Sequence, residues 1–165
     1  MAVTIFSYKD RHVPVPESPL IVVGYMLFHE ARLNANTQED QSRFQQMTAE
    51  FEISTIGVGC TDLALDRLLQ GDLQKEVEFL AFVRLVRRRL LEFGKEVPVE
   101  YGNQVIAVHE PDWKDAVWPT PWLHKVLDII EALIRDDRIP PPDWLTHFRR
   151  GTFPSNRSHR ARYPR

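Results

Sequence analysis

Residues 73–94 read LQKEVEFLAFVRLVRRRLLEFG, and the way this run winds decides the fold. At about 100° per residue, Phe79, Phe82, Val83, Val86, Leu90 and Phe93 fall on one wide apolar face, and Leu73, Val77, Leu80 and Leu91 on a second. The spacing predicts one long helix over residues 73–93, buried on two sides, with Gly94 placed where a left-handed residue closes a helix. Its four arginines are adjacent in sequence but dispersed around the axis. Arg84, Arg88 and Arg89 spread across the polar arc with Glu78 and Glu92, while Arg87 lies between the apolar patches. Dispersed cations form no stripe for tracking phosphates, and their long stems can cover apolar neighbours. They read as helix surface, with Arg88 and Glu92 one turn apart and able to pair.

Other elements follow outward from this helix. WLHKVLDIIEALIRDD comes after Thr120, read as a cap, and Pro121 at the first helical position. Trp122, Val126, Leu127, Ile129, Ile130, Leu133 and Ile134 share one arc opposite His124, Asp128, Glu131 and Arg135, and Pro140, Pro141 and Pro142 end the segment. TQEDQSRFQQMTAEFEI reads as a surface helix, with Thr37 and Asp40 in a capping pattern and a narrow stripe of Phe44, Met47 and Phe51. TDLALDRLLQ, opened by Thr61, is a short helix feeding the long one across Gly71. Residues 19–33 are ambiguous between buried strand and helix, and their length favours helix. Strand signal concentrates in VPVEYGNQVIAVH, residues 97–109, where two valine-rich runs flank Gly102 and Asn103 as a hairpin turn and Pro98 marks an edge strand. AVTIFSY near the start is a candidate third strand. The expected fold is α+β and mainly helical, with about five helices around a long buried one and a small antiparallel hairpin or three-stranded sheet. No internal repeat of solenoid period is present.

With 165 residues, 43% of them hydrophobic, the chain can bury one self-sufficient core. Residues 1–148 are expected to form a single globular domain and residues 149–165 a flexible basic tail. The apolar run LIVVGYMLF, residues 20–28, is about half of what a membrane span needs. The opening MAVTIFSYKD lacks the basic start and apolar core of a secretory signal. Cys60 is the only cysteine, which excludes an internal disulfide and a cysteine-based metal cluster. A cytoplasmic protein with no membrane partner is expected. The net charge of −2 hides an asymmetry: from Arg149 onward there are six arginines and no acid, leaving 15 basic against 23 acidic side chains, or −8, in residues 1–148.

Chemistry-bearing motifs are weak. In STIGVGCTDLA, Gly57 and Gly59 lead to Cys60 at a helix start, where an N-terminus would favour a thiolate nucleophile. A tight turn over a small packed thiol explains the same residues. Asp62 stands where a dinucleotide fingerprint needs glycine. His29 with Glu30 and His109 with Glu110 each begin like a zinc-protease helix, but Leu33 and Trp113 occupy the second histidine position. His12, His124, His147 and His159 are isolated, so no metal and no cofactor is expected.

Two features remain for recognition. In EPDWKDAVWPTPWLHK, Trp113, Trp118 and Trp122 alternate with prolines beside Asp112 and Asp115, and tryptophan is enriched at binding hot spots. The same indoles would also serve to roof the core. The tail, with Arg149, Arg150, Arg157, Arg160, Arg162 and Arg165 around Phe153 and Tyr163, has the composition for phosphate contact and base stacking. An acidic body without a contiguous catalytic motif points to a non-catalytic protein that binds another protein. One form is an inhibitor or toxin-neutralising, immunity-type protein covering a basic partner surface with Asp112, Trp113, Asp115, Trp118, Asp136 and Asp137. The alternatives are an enzyme in which Cys60, His29 and His109 meet in the fold, and a nucleic-acid accessory protein acting through Arg150, Arg157, Arg160 and Arg162.

Overall fold

The computed structural model describes residues 2–56 and 61–139. Cys60, its flanking Gly57 and Gly59, the three prolines from Pro140 and the arginine-rich tail lie outside the described residues. In chain order the elements are β1 (Val3–Tyr8), β2 (Arg11–Pro16), α1 (Glu17–Leu33), α2 (Gln38–Thr55), α3 (Leu65–Leu69), α4 (Leu73–Phe93), α5 (Val99–Val105) and α6 (Thr120–Ile134). A one-turn 3-10 helix at Pro111–Trp113 lies between α5 and α6. The fold is α+β and mainly helical, with a two-stranded antiparallel hairpin in which Val3 faces Pro16 and Tyr8 faces Arg11.

The centre of the fold is α1. Every residue from Pro19 to Phe28 is buried, because α1 packs against α2, α4, α5, α6 and β2. A helix that is apolar all round has no solvent face to offer, which settles the ambiguous residues 19–33 as helix. Helix α4 has the bounds expected of it, is capped by the Asp72 side chain accepting from Gln74 N–H and Lys75 N–H, and ends at Gly94 with φ 79°. It is buried on one side only, however. Phe79, Phe82, Val83, Val86 and Leu90 enter the core, as does Leu80 from the second face, whereas Leu73, Val77 and Leu91 are exposed.

Helix α2 begins as expected, with Thr37 Oγ1 accepting from Asp40 N–H at 3.0 Å, and buries Phe44, Thr48 and Phe51. Helix α6 buries the expected arc along with Leu123 and Ala132, while Trp122 is half-buried. It stops at Ile134, short of the prolines, and the Thr120 hydroxyl donates to the Gly94 carbonyl instead of capping α6. Thr61 caps nothing either: α3 starts later, after Ala64 at φ 50°, and the Thr61 hydroxyl donates to buried Glu17 at 2.8 Å.

The hairpin lies elsewhere than expected. Residues 99–105 wind into α5, with Gly102 N–H donating to the Pro98 carbonyl and Ile106 N–H to that of Gly102. The buried Gly102, Val105 and Ile106 recur at helical spacing. Asn103 makes no turn; its side chain is held by Asp115. The true hairpin turns at Lys9, with φ 53°, whose N–H donates to Asp66 Oδ1 at 2.8 Å. Nothing within residues 9–10 announces an anchor supplied from so far along the chain.

Inside the hairpin, the fully buried Tyr8 donates a 2.5 Å hydrogen bond to Glu76 Oε1 on α4, and Lys9 Nζ lies 3.1 Å from the same oxygen. The Tyr8 hydrogen bond, ahead of the Lys9 charge, holds the Glu76 carboxyl below its ordinary range against the opposing effect of burial. Because the folded value is depressed, this contribution is fully present above the unfolded value of 4.5 and is lost as pH falls through the folded one. Tyr8→Phe is therefore expected to lower stability by about 1.5–2 kcal/mol near neutral pH. The deficit shrinks in urea melts at a pH below the depressed folded value of Glu76, where the carboxyl is protonated in wild type and variant alike. An equal deficit at both pH values would show that the phenol acts by packing alone.

Candidate functional site

The residues expected to form an acidic, aromatic patch do not share one surface. Trp113 is only 6% exposed and packs at 4.8 Å between ring centroids against half-buried Trp118, so it belongs to the core. Asp112 is exposed on the 3-10 turn. Asp115, at φ 61°, is exposed but tied to Asn103, donating from its backbone N–H and accepting from Asn103 Nδ2, both at 2.8 Å. Asp136 and Asp137 follow the other end of α6, a helix of 15 residues that spans about 22 Å. There Arg11 pairs with Asp136 at 3.2 Å and also donates to the carbonyls of Ala132 and Asp137. Arg150, Arg157, Arg160 and Arg162 lie outside the described residues.

His29 and His109, far apart in sequence, do converge. The His109 ring stacks on Tyr25 at 4.5 Å and 9°, and Tyr25 is one turn before His29 on α1. His109 Nδ1 is paired with Glu52 of α2, while Glu110 Oε1 accepts from the Tyr25 hydroxyl at 3.2 Å and from Thr55 Oγ1 at 2.9 Å. Burial pushes the Tyr25 phenol well above its ordinary value and His29 below its own. His29 also meets the Tyr101 ring edge-on at 6.1 Å, and the Tyr101 hydroxyl is buried without a partner among the described residues. This cluster latches α1, α2 and the segment after α5 together. No group of three or more histidine or acidic residues suited to a metal ion occurs among the described residues.

The exposed side of α4 is the feature that packing does not explain. Its arginines divide into two pairs. Arg87 bridges to α6, reaching Asp128 at 2.7 Å and Glu131 at 3.0 Å, and Arg89 reaches buried Glu30 at 3.3 Å and Glu92 at 3.5 Å. The expected Arg88–Glu92 pair is thus replaced by Arg89–Glu92, because Arg89 points along the seam where Glu30 also needs a cation. Arg84 and Arg88 are exposed and pair with no described residue. They stand in line with Leu73 (75% exposed), Val77 (57%) and Leu91 (69%), all five within about 60° on the helical wheel. At 1.5 Å per residue the row is about 27 Å long. The sequence carried a signal for it: two arginines lie in the line of Leu73, Val77 and Leu91, which a face buried throughout would not accept.

Elsewhere, a shallow apolar notch between β2 and α6, lined by Pro16, Pro19, Trp122 and Ile129, has room for about one water-sized body. Among the described residues no helix is long and apolar enough to cross a membrane. Compared with known proteins, the chain matches no family model, no curated protein and no solved structure.

Proposed function

We propose that this chain is a protein-binding module that works by surface complementarity, with the outer face of α4 as its contact surface. The observation that carries this reading is the row Leu73, Val77 and Leu91, each more than half exposed, on a helix whose other side is fully used by the core. Aliphatic side chains aligned on one face, with cations that have no partner among the described residues, form a surface that costs solvation and contributes nothing to the interior. An inhibitor or immunity-type protein is one form such a module takes. Coverage of a basic partner by carboxylates has less support, since the Asp136 carboxylate is paired with Arg11, and Asp136 and Asp137 stand at the far end of α6 from Asp112 and Asp115.

The reading as an enzyme has one observation in its favour, the convergence of His29 and His109 about Tyr25. A single experiment separates the two. The variant Leu73→Asn/Val77→Asn/Leu91→Asn is expected to keep its Tm within about 3 °C, since exposed substitutions change stability little. It is expected to lose the stoichiometric partner that wild type retains from its native extract, while His109→Gln keeps that partner. Retention by the α4 variant, or loss only in His109→Gln, rejects the proposal.

A further inference from the structure

Resting on that reading of α4, we infer that the partner's contact element is an amphipathic helix with aliphatic side chains opposite Leu73, Val77 and Leu91 and carboxylates opposite Arg84 and Arg88. The chemistry of the row dictates this. Leu73 and Val77 stand at one end, Leu91 at the other, and Arg84 and Arg88, one turn apart, between them. The fold supplies acids for the arginines it uses: Asp128 and Glu131 for Arg87, Glu30 and Glu92 for Arg89, Glu78 for Arg43. For Arg84 and Arg88 it supplies no acid among the described residues, which leaves both able to take carboxylates from a partner. A straight ridge about 27 Å long and one side chain wide is matched by the ridge of a second helix.

Other occupants fit less well. A second copy laid antiparallel, with Leu73 opposite Leu91, brings the two Arg84 side chains together near the centre and sets each Arg88 beside Val77 with no carboxylate of the row to meet it, and a parallel copy sets arginine beside arginine. A phospholipid surface or a nucleic acid presents a continuous sheet of negative charge. The −8 balance of residues 1–148, and Glu78 and Glu92 on α4 itself, oppose that approach. A helix offering two or three carboxylates places its charge only where the arginines stand.

The test uses the full chain and two synthetic helical peptides of about 18–20 residues, long enough to span about 27 Å. Both carry leucines where Leu73, Val77 and Leu91 would meet them; one has glutamates and the other lysines at the positions facing Arg84 and Arg88. In fluorescence anisotropy the glutamate peptide is expected to bind wild type, more weakly as salt rises. It should lose affinity roughly tenfold or more against Arg84→Glu/Arg88→Glu, which in turn prefers the lysine peptide. Equal binding of both peptides by wild type, or binding of neither, overturns the inference. So would binding of wild type to phosphatidylserine vesicles in place of the peptide, or a dimer in sedimentation that Leu73→Asn/Leu91→Asn abolishes. If the α4 variant still loses its native partner while the peptides fail, the partner's chemistry is wrong and the binding reading stands. If the variant keeps that partner, the reading itself falls.

Discussion

Phe51→Ala is expected to cost about 3–5 kcal/mol and to lower Tm by roughly 10 °C or more, measured by thermal circular dichroism. Phe51 is 3% exposed and is one of only three buried residues on α2, with Phe44 and Thr48. A helix with so small a buried face depends on each member of it. The Phe51 ring meets Tyr25 edge-on at 5.2 Å and Phe28 at 5.5 Å, and lies directly over Gly24 of α1. A Cβ at position 24 would come 2.3 Å from Phe51 Cζ, so the missing side chain is what lets α2 close on α1. The next residues, Glu52 and Thr55, hold His109 and Glu110, so undocking α2 opens the polar cluster too. A double-mutant cycle checks the cause. Gly24→Ala should destabilise the wild type by about 1–3 kcal/mol through overpacking. In the Phe51→Ala background the same change should cost far less or turn stabilising, because alanine is the better helix former by about 1 kcal/mol and only Leu63 Cδ2, at 3.1 Å from the added Cβ, is left to give way. Additive effects would show that Phe51 and Gly24 do not share this space.

What the sequence made legible is what depends on neighbours a few residues away. The cap at Thr37, the stop at Gly94 and the apolar arc of α6 are local, and the structure has them. Where an element's partner comes from far along the chain, local reading fails. Lys9 adopts a left-handed turn because Asp66 receives its N–H, and Gly102 and Asn103 wind into a helix because the side chain of Asp115 takes Asn103. Periodicity also overestimated burial. Leu73, Val77 and Leu91 satisfy the helical pattern, but whether an apolar face is covered depends on another element reaching it, and no periodicity records that. The sequence offers the meeting of His29 and His109 as one alternative, but their companions are hidden for the same reason, since Tyr25, Glu52 and His109 come from three separate segments.

Trp113→Ala is expected to destabilise the protein by about 3–5 kcal/mol and lower Tm by roughly 10 °C, whereas Trp118→Ala, at a half-buried position, should cost about half as much. The contrast decides between two uses of the same residue type. An indole kept for a partner leaves the melting temperature of the free chain unchanged when removed; one that closes the core does not. Packing is favoured by where the side chain goes and by what the backbone around it lacks. Between α5 and α6 the backbone hydrogen bonds are mostly local turns, such as His109 N–H to the Ile106 carbonyl and Ala116 N–H to that of Trp113, and ties to a distant strand of chain come only at the end, from Val97 N–H to the Trp118 carbonyl and Thr120 N–H to that of Lys95. The pair Trp113 and Trp118, their rings tilted at 56°, supplies anchorage to the core that local turns do not. Trp113 N–H donates to the carbonyl of Glu110, whose side chain receives Tyr25 and Thr55. Loosening the indole therefore also frees the acid on which buried Tyr25 and half-buried Thr55 depend, which places the loss near the upper end of the range. A change of less than about 2 °C, with partner capture weakened, would return Trp113 to the binding surface that its composition suggested.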